Sequence, residues 1–304
     1  MEDVKLLSTR CAICDTENND TELYPAKFDM QAFKTDVFSA RRLPDRIHYR
    51  IIKCNTCGLI RSDTVVDPQI LAQLYAKSTF NYDDEVANLR FTYGRYLFKL
   101  DNYGVQKGAL LEIGCGNGFF LEEALAQGYA TVRGVEPSAD AIAKASSKVR
   151  PYIVCDIMHP GLFESEQFDV ICMFQVFDHI PNPGYLLEEC FRILKPGGMI
   201  LCINHNVQSV SARLLKERSP IIDIEHTYLY SSSTMSNIFA AHRFKVVHVG
   251  SVYNKYTMHY LAWLAPLPAA LKSMILTFIK SSYIGHIRVS VPLGNFHVIA
   301  RRPF

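Results

Sequence analysis

The stretch that decides the fold is Leu110-Leu111-Glu112-Ile113-Gly114-Cys115-Gly116-Asn117-Gly118, an apolar run that stops at three glycines set at alternate positions. Working outward, apolar runs and amphipathic segments alternate: a strand is expected at Ala109 to Ile113, a helix at Phe119 to Gln127, a strand at Thr131 to Val135 and a helix at Ala139 to Ser147. Shorter strands follow at Pro151 to Val154 and Val170 to Phe174, then a helix from Tyr185 to Leu194. That helix is expected to stop at Lys195-Pro196-Gly197-Gly198, before a fifth strand at Met199 to Ile203. Lys245 to Val249 and Phe296 to Ala300 read as a closing antiparallel pair. Strand alternating with helix means a parallel sheet covered by helices on both faces, an α/β fold.

Glycine at a strand-to-helix turn permits positive φ and close approach of a ligand to bare backbone. The spacing here is G-x-G-x-G, whereas the dinucleotide fingerprint is G-x-G-x-x-G. At the end of the next strand, Gly134-Val135-Glu136-Pro137 supplies a carboxylate able to accept hydrogen bonds from both hydroxyls of a ribose. A nucleoside cofactor is expected.

Glu112 to Gly118, Gly134-Val135-Glu136-Pro137, Phe168-Asp169-Val170-Ile171 and Leu194-Lys195-Pro196-Gly197-Gly198 resemble, in order and spacing, the class I S-adenosylmethionine-dependent methyltransferases. The resemblance implies a Rossmann-like sheet and S-adenosyl-L-methionine as cofactor. It places Glu112, Gly114, Gly116 and Gly118 around the methionine part and Glu136 at the ribose, with Cys115 and Pro137 among the cofactor-binding residues. Asp156 and Ile157 fall at the adenine, while Phe174 and Gln175 close the set. Phe177-Asp178-His179-Ile180 stands where many members have Leu-Glu-His-Val, so His179 is expected to border the transferred methyl group.

Cys11-Ala12-Ile13-Cys14 and Cys54-Asn55-Thr56-Cys57-Gly58 are two C-x-x-C knuckles, the pattern that aims four thiolates at one tetrahedral zinc. With all four positions filled, the zinc is expected to be structural. Residues 1–70 read as a zinc-ribbon unit, 71–108 as a helical connector and 109–304 as the cofactor-binding domain. The text from Tyr49 to Ile60, followed by Pro68 and Leu74-Tyr75, is similar to the zinc-ribbon extension of a branch of these methyltransferases associated with sugar nucleotides, surface polysaccharides or antibiotic sugars. That likeness implies a small glycosyl acceptor and a role in carbohydrate biosynthesis.

A sulfonium methyl group needs an aligned nucleophile and one base. Candidates lie at Asn204-His205-Asn206 and along Ile222 to Ser231. Glu225-His226-Thr227-Tyr228-Leu229-Tyr230-Ser231 is similar to the Tyr-His-Glu-His stretch of sugar C-methyltransferases; Glu225 and His226 match it, Asp223 and Ile224 do not. The expected reaction is O-methylation with His226 or His179 as base and Glu225 beside them, with C-methylation of a ketosugar as the alternative. Between Tyr253 and Ile287, Tyr253, Tyr256, Tyr260, Trp263, Leu271, Ile275, Phe278 and Ile279 read as a core, a subunit contact or a lid on an apolar or lipid-linked acceptor.

Composition fits these expectations. The 304 residues are 49% hydrophobic, enough for a sizeable core, and carry 32 basic against 30 acidic side chains. A net charge of +2 offers nucleic acid no field to meet. Met1-Glu2-Asp3-Val4-Lys5 lacks the layout of a signal peptide, and apolar runs fall short of a membrane span, so a cytoplasmic protein is expected. Two other readings stay open: a nicotinamide-dependent oxidoreductase and a non-catalytic zinc-binding scaffold.

Overall fold

A computed structural model describes residues 6–28, 47–78, 86–264, 268–280, 282, 285 and 287–304. Its centre is a sheet of seven strands: β1 Ala109–Ile113, β2 Thr131–Val135, β3 Ile153–Val154, β4 Phe168–Phe174, β5 Leu194–His205, β6 Lys245–Ser251 and β7 Asn295–Arg301. Their spatial order is β6-β7-β5-β4-β1-β2-β3. β3, β2, β1, β4 and β5 run parallel, while β7 is antiparallel to both β5 and β6.

Side chains alternate faces along a strand, so a sheet covered on both sides must be apolar at every position. Leu111, Ile113, Ile171, Met173, Ile200 and Cys202 enter one core with the helices Pro183–Ile193 and Ser232–Ala241. Leu110, Val170, Cys172, Met199, Leu201 and Ile203 enter the other, with the helices Val86–Phe98 and Phe119–Ala126. Helices therefore cover both faces, as the alternating runs imply.

Several boundaries differ from expectation. β5 begins at Leu194, which pairs with Phe168 of β4, and Lys195 to Gly198 belong to it as the irregular stretch before regular pairing with β4 and β7 starts at Met199. The preceding helix starts at Pro183, where Asn182 accepts the N–H of Tyr185. The helix from Ala139 ends at Ala143, because Arg150 turns back and donates to the carbonyls of Ala143 and Ala145. The strand expected from Pro151 starts at Ile153.

The N-terminal sheet consists of Asp20–Tyr24, Ile51–Cys54, Ile60–Ser62 and Tyr228–Leu229. Its last strand comes from the other end of the chain: Tyr228 and Leu229 pair with Arg61 and Ile60. Cys11, Cys54 and Leu59 join the same buried cluster as the central sheet, so this unit is fused to the rest along a shared core. Residues 29–46 of the expected ribbon, 79–85 of the connector and Pro266, as well as the side chains of Tyr260 and Trp263, lie outside the described residues. Helices Met258–Leu264 and Ala269–Lys280 follow the hairpin strand Asn254–Thr257, and Leu271, Met274 and Phe278 are exposed. Among the described residues no helix is long and apolar enough to cross a membrane.

Candidate functional site

The glycine turn lies at the carboxyl end of β1. Gly114, Gly116 and Gly118 all take positive φ, +72°, +54° and +72°, a conformation that a Cβ disfavours. The N–H groups of Gly114 and Cys115 both donate to the carbonyl of Val135, folding the turn over the end of β2. Glu136, one residue on, accepts from the N–H of Gly116 and that of Ser138, each at 2.9 Å. Burial raises the Glu136 carboxyl above its ordinary range and these two N–H groups oppose the rise.

Glu112 is buried beside it, and its Oε2 has no hydrogen-bond partner. Burial, with Glu136 adding its charge, raises the Glu112 carboxyl well above the carboxylate range. A buried acceptor without a donor is costly and calls for a cationic or N–H-bearing ligand. Gln175, held at φ +57° after β4, also leaves a buried Oε1 unpaired.

One cavity of about 2260 Å³ takes in Glu112, Gly114, Cys115, Gly116, Glu136, Pro137, Asp156, Ile157, Phe174 and Gln175. Gly118 is not on its wall: it opens the helix Phe119–Ala126, with Val149 and Ile153 where a Cβ would go. The Cys115 side chain turns to the core against Gly134, leaving only its backbone to a ligand. Phe174 stacks on Tyr93 at 4.2 Å between ring centres. Asp156 is engaged locally, accepting from the N–H of Ile157 and lying 3.3 Å from His159 Nε2.

The same cavity reaches His179, His205, Glu225 and His226. The three histidines converge on Asp178, a residue that sequence reasoning passed over in favour of its neighbour His179. Asp178 is buried, with His205 Nδ1 at 2.9 Å from Oδ2, His226 Nε2 at 3.7 Å from Oδ2 and His179 Nε2 at 3.7 Å from Oδ1. Burial alone would raise the Asp178 carboxyl; the imidazoles of His226, His179 and His205 outweigh it and hold the group well below the usual range. Burial pushes His179 down to about 4, with Asp178 opposing.

His226 Nδ1 donates to the carbonyl of Ile221 and His179 Nδ1 pairs with the Tyr75 hydroxyl. Tyr75, from the helix Pro68–Ala76, is a second residue without a local signal in the sequence. Glu225 lines the cavity half-buried, its N–H bonded to Asp223 Oδ1. Asp178, His179 and His226 present donor atoms within 4.8 Å of one another, a set able to hold a cation.

The four knuckle cysteines come together. Cys11 and Cys57 are 3.3 Å apart at sulfur, Cys14 and Cys54 3.6 Å, Cys14 and Cys57 3.9 Å. Thiolates at about 2.3 Å around one tetrahedral zinc stand roughly 3.8 Å apart, so the set fits that ion. Asp15 at φ +52° and Gly58 at +78° make the two reversals. N–H groups of Cys57 and Thr56, with the Thr16 hydroxyl, overcome burial and bring the Cys54 thiol down to about 6.

The sheet order, the glycine turn after β1 and the carboxylate after β2 define a Rossmann-like class I methyltransferase fold. A family model described as a methyltransferase domain matches residues 90–249, just over half of the chain, and the chain belongs to that family. It is similar to the ubiquinone biosynthesis O-methyltransferase of Pseudomonas fluorescens, 36% identical over 105 residues that make up 32% of this chain and 45% of that one. The enzyme of the same name from Psychrobacter arcticus is 29% identical over 121 residues, 36% of this chain and 47% of its own length. The chain thus spans about half the length of the curated relatives it matches. Among solved structures, a SAM dependent methyltransferase from Archaeoglobus fulgidus aligns with a TM-score of 0.49 at 20% identity, covering 70% of this chain and 94% of that one. Another from Aquifex aeolicus gives 0.47 at 17%, covering 78% and 98%.

Proposed function

We propose that this protein transfers a methyl group from S-adenosylmethionine to a hydroxyl oxygen of a small molecule. The observation that carries the reading is the pair of buried carboxylates at the glycine turn: Glu136, fixed by the N–H groups of Gly116 and Ser138, and Glu112, with an oxygen left unpaired. A fixed acceptor suits the two hydroxyls of a ribose, and an orphaned buried carboxylate suits an ammonium group; a sulfonium nucleoside with an amino-acid tail carries both. When bound, that cofactor supplies an electrophilic methyl group. The chain's own task is to orient the acceptor and remove one proton, and the histidines around Asp178 share the cavity with the turn.

The O-methyltransferase name of the relatives supports oxygen as the nucleophile. For the acceptor we favour a glycosyl compound with an apolar part. The glycosyl portion rests on the ribbon's likeness to sugar-associated methyltransferases. The apolar portion rests on the exposed Val210, Leu214 and Leu293 along the cavity. An acceptor from quinone biosynthesis, the field named by the relatives, is the second reading. Zinc at Cys11, Cys14, Cys54 and Cys57 is structural here.

Calorimetry with S-adenosylmethionine and with a nicotinamide dinucleotide separates the cofactor classes, the first being expected to bind and the second not. Transfer of labelled methyl to a panel of sugar nucleotides, glycolipids and quinone precursors then reads the acceptor. A protein that binds neither cofactor is a scaffold, and the proposal ends there.

A further inference from the structure

We infer that His205 is the base that takes the acceptor's proton and that Asp178 is the residue that positions it. The inference rests on the methyl-transfer reading and deepens it. The three imidazoles around Asp178 differ in their bonding to it and in their exposure. A carbonyl oxygen accepts only, so His226 Nδ1, 2.9 Å from the carbonyl of Ile221, carries hydrogen. The other nitrogen of His226 faces Asp178 Oδ2 at 3.7 Å, and its side chain is 8% exposed. His226 is bonded at Nδ1 and nearly closed to the cavity at Nε2, which at 3.7 Å stands outside hydrogen-bond reach of Asp178. His179 is held by Nδ1 on the Tyr75 hydroxyl at 3.0 Å and by the backbone of Glu225 against the ring, while its Nε2 stands 3.7 Å from Asp178 Oδ1, an oxygen with no hydrogen-bond partner.

His205 differs. Nδ1 lies 2.9 Å from Asp178 Oδ2, while the side chain is 32% exposed, the most open of the three, on the wall of the cavity. A carboxylate is acceptor-only when ionised, and Asp178 is held ionised by its ring of imidazoles, so Nδ1 donates to it. The lone pair is left on Nε2, in a side chain that is part of the cavity wall and 32% exposed. A carboxylate buried behind an imidazole fixes the tautomer and steadies the imidazolium that forms, the logic by which a histidine becomes a general base on many folds.

The placement suits the reaction. His205 ends β5, and the glycine turn ends β1, both at the carboxyl edge of the sheet where open α/β folds bind ligands. β4 alone separates them, so they stand two strand spacings, about 10 Å, apart. That is room for a reactive methyl group and the hydroxyl that meets it. In the step, the O–H bond of the acceptor breaks and the proton passes to His205 Nε2. The electron pair left on oxygen forms the bond to the methyl carbon, whose bond to sulfur breaks with its pair staying on sulfur.

The test does not wait for the acceptor. Diethyl pyrocarbonate attacks unprotonated, accessible imidazole nitrogens, and peptide mass spectrometry of the full chain assigns each site. His205 should be modified at least ten-fold faster than His179 and His226. Asp178→Asn, which lets Nδ1 lose its acceptor and the tautomer switch, should slow modification of His205 several-fold. Nitrogen-15 spectra of the imidazoles should show the Nδ1–H form of His205 in the parent protein and a shift toward Nε2–H in that variant. Modification of His226 or His179 ahead of His205, or an Nε2–H tautomer of His205 in the parent, overturns the assignment.

With the acceptor found by the labelled-methyl screen, His205→Gln should lower kcat at least 100-fold while the Kd for S-adenosylmethionine changes less than three-fold. Full turnover in that variant also overturns it. Calorimetry on the parent keeps the two ideas apart: failure to bind the sulfonium cofactor removes the methyl-transfer reading, whereas the reactivity order speaks to His205 alone.

Discussion

The carboxylate of Glu136 and the N–H of Gly116 meet at 2.9 Å, tying the end of β2 to the middle of the glycine turn that follows β1. The bond fixes a charged acceptor at the mouth of a turn made of bare backbone. Glu136→Ala removes this tie and, on the proposed reading, the acceptor for the ribose hydroxyls. It should weaken S-adenosylmethionine binding by about 1–3 kcal/mol, the worth of a charge-assisted hydrogen bond. Calorimetry reads it directly, and an unchanged Kd would take Glu136 out of the binding site.

Glu112 gives the site a pH signature. Burial, reinforced by Glu136, raises its carboxyl well above the ordinary range. A group so raised holds its proton in the folded chain where the unfolded chain has already lost it. The cofactor-free protein should therefore lose stability as pH climbs from the usual carboxylate range through the raised one. A bound ammonium favours the ionised carboxylate, so cofactor binding should release a proton and tighten across that same window. Titrations in two buffers of different ionisation heat count the protons released; Glu112→Gln should release none and show a flatter dependence of affinity on pH.

The chain order of the central sheet could be read from its apolar runs because the inner strands are covered on both faces and are almost wholly apolar, as in Val170-Ile171-Cys172-Met173-Phe174. The glycine turn and the doubled cysteine knuckles were equally legible, each being a local pattern. What escaped was non-local. The strand Tyr228–Leu229 is two residues long, and what makes it a strand is Ile60 and Arg61, far back in the chain. Asp178 and His205 are 27 positions apart and meet only because adjacent strands β4 and β5 deliver them to one edge. Gly118 shows a second reason for glycine that spacing alone does not reveal: a side chain there would meet Val149 and Ile153.

Asp169 tests the fold apart from the site. One oxygen, Oδ2, accepts the N–H of Ala109 at 2.7 Å and the ammonium of Lys195 at 2.7 Å, so it pins the start of β1 to the start of β5 across β4. Asp169→Ala strands a partly buried N–H and should destabilise the protein by about 1–3 kcal/mol. Denaturant unfolding should show the midpoint falling with the slope unchanged; a midpoint equal to the parent's means that water replaces the carboxylate at no cost.

The N-terminal unit that carries the four-cysteine cluster bears on the histidines through two hydrogen bonds. Ser62, at the end of the strand Ile60–Ser62, donates its N–H to the carbonyl of Thr227 at 2.9 Å and its hydroxyl to that of His226 at 2.7 Å. Thr227 in turn donates to the carbonyl of Asp178. The N-terminal unit thereby braces the loop that brings His226 to the cluster, whereas the glycine turn and Glu136 are held chiefly by the central sheet, the N–H of Glu136 donating to Val154 of β3. Cys54→Ser removes one of four thiolates and should release close to one equivalent of zinc, since such a site binds as a set. With the brace loosened, methyl transfer should fall about ten-fold or more while affinity for S-adenosylmethionine stays within a factor of about three, a contrast expected when orientation rather than cofactor binding is lost. Metal analysis, calorimetry and the transfer assay on one preparation decide it. A variant that keeps its full zinc content rules out the four-thiolate centre, and one that loses zinc at full activity rules out the brace.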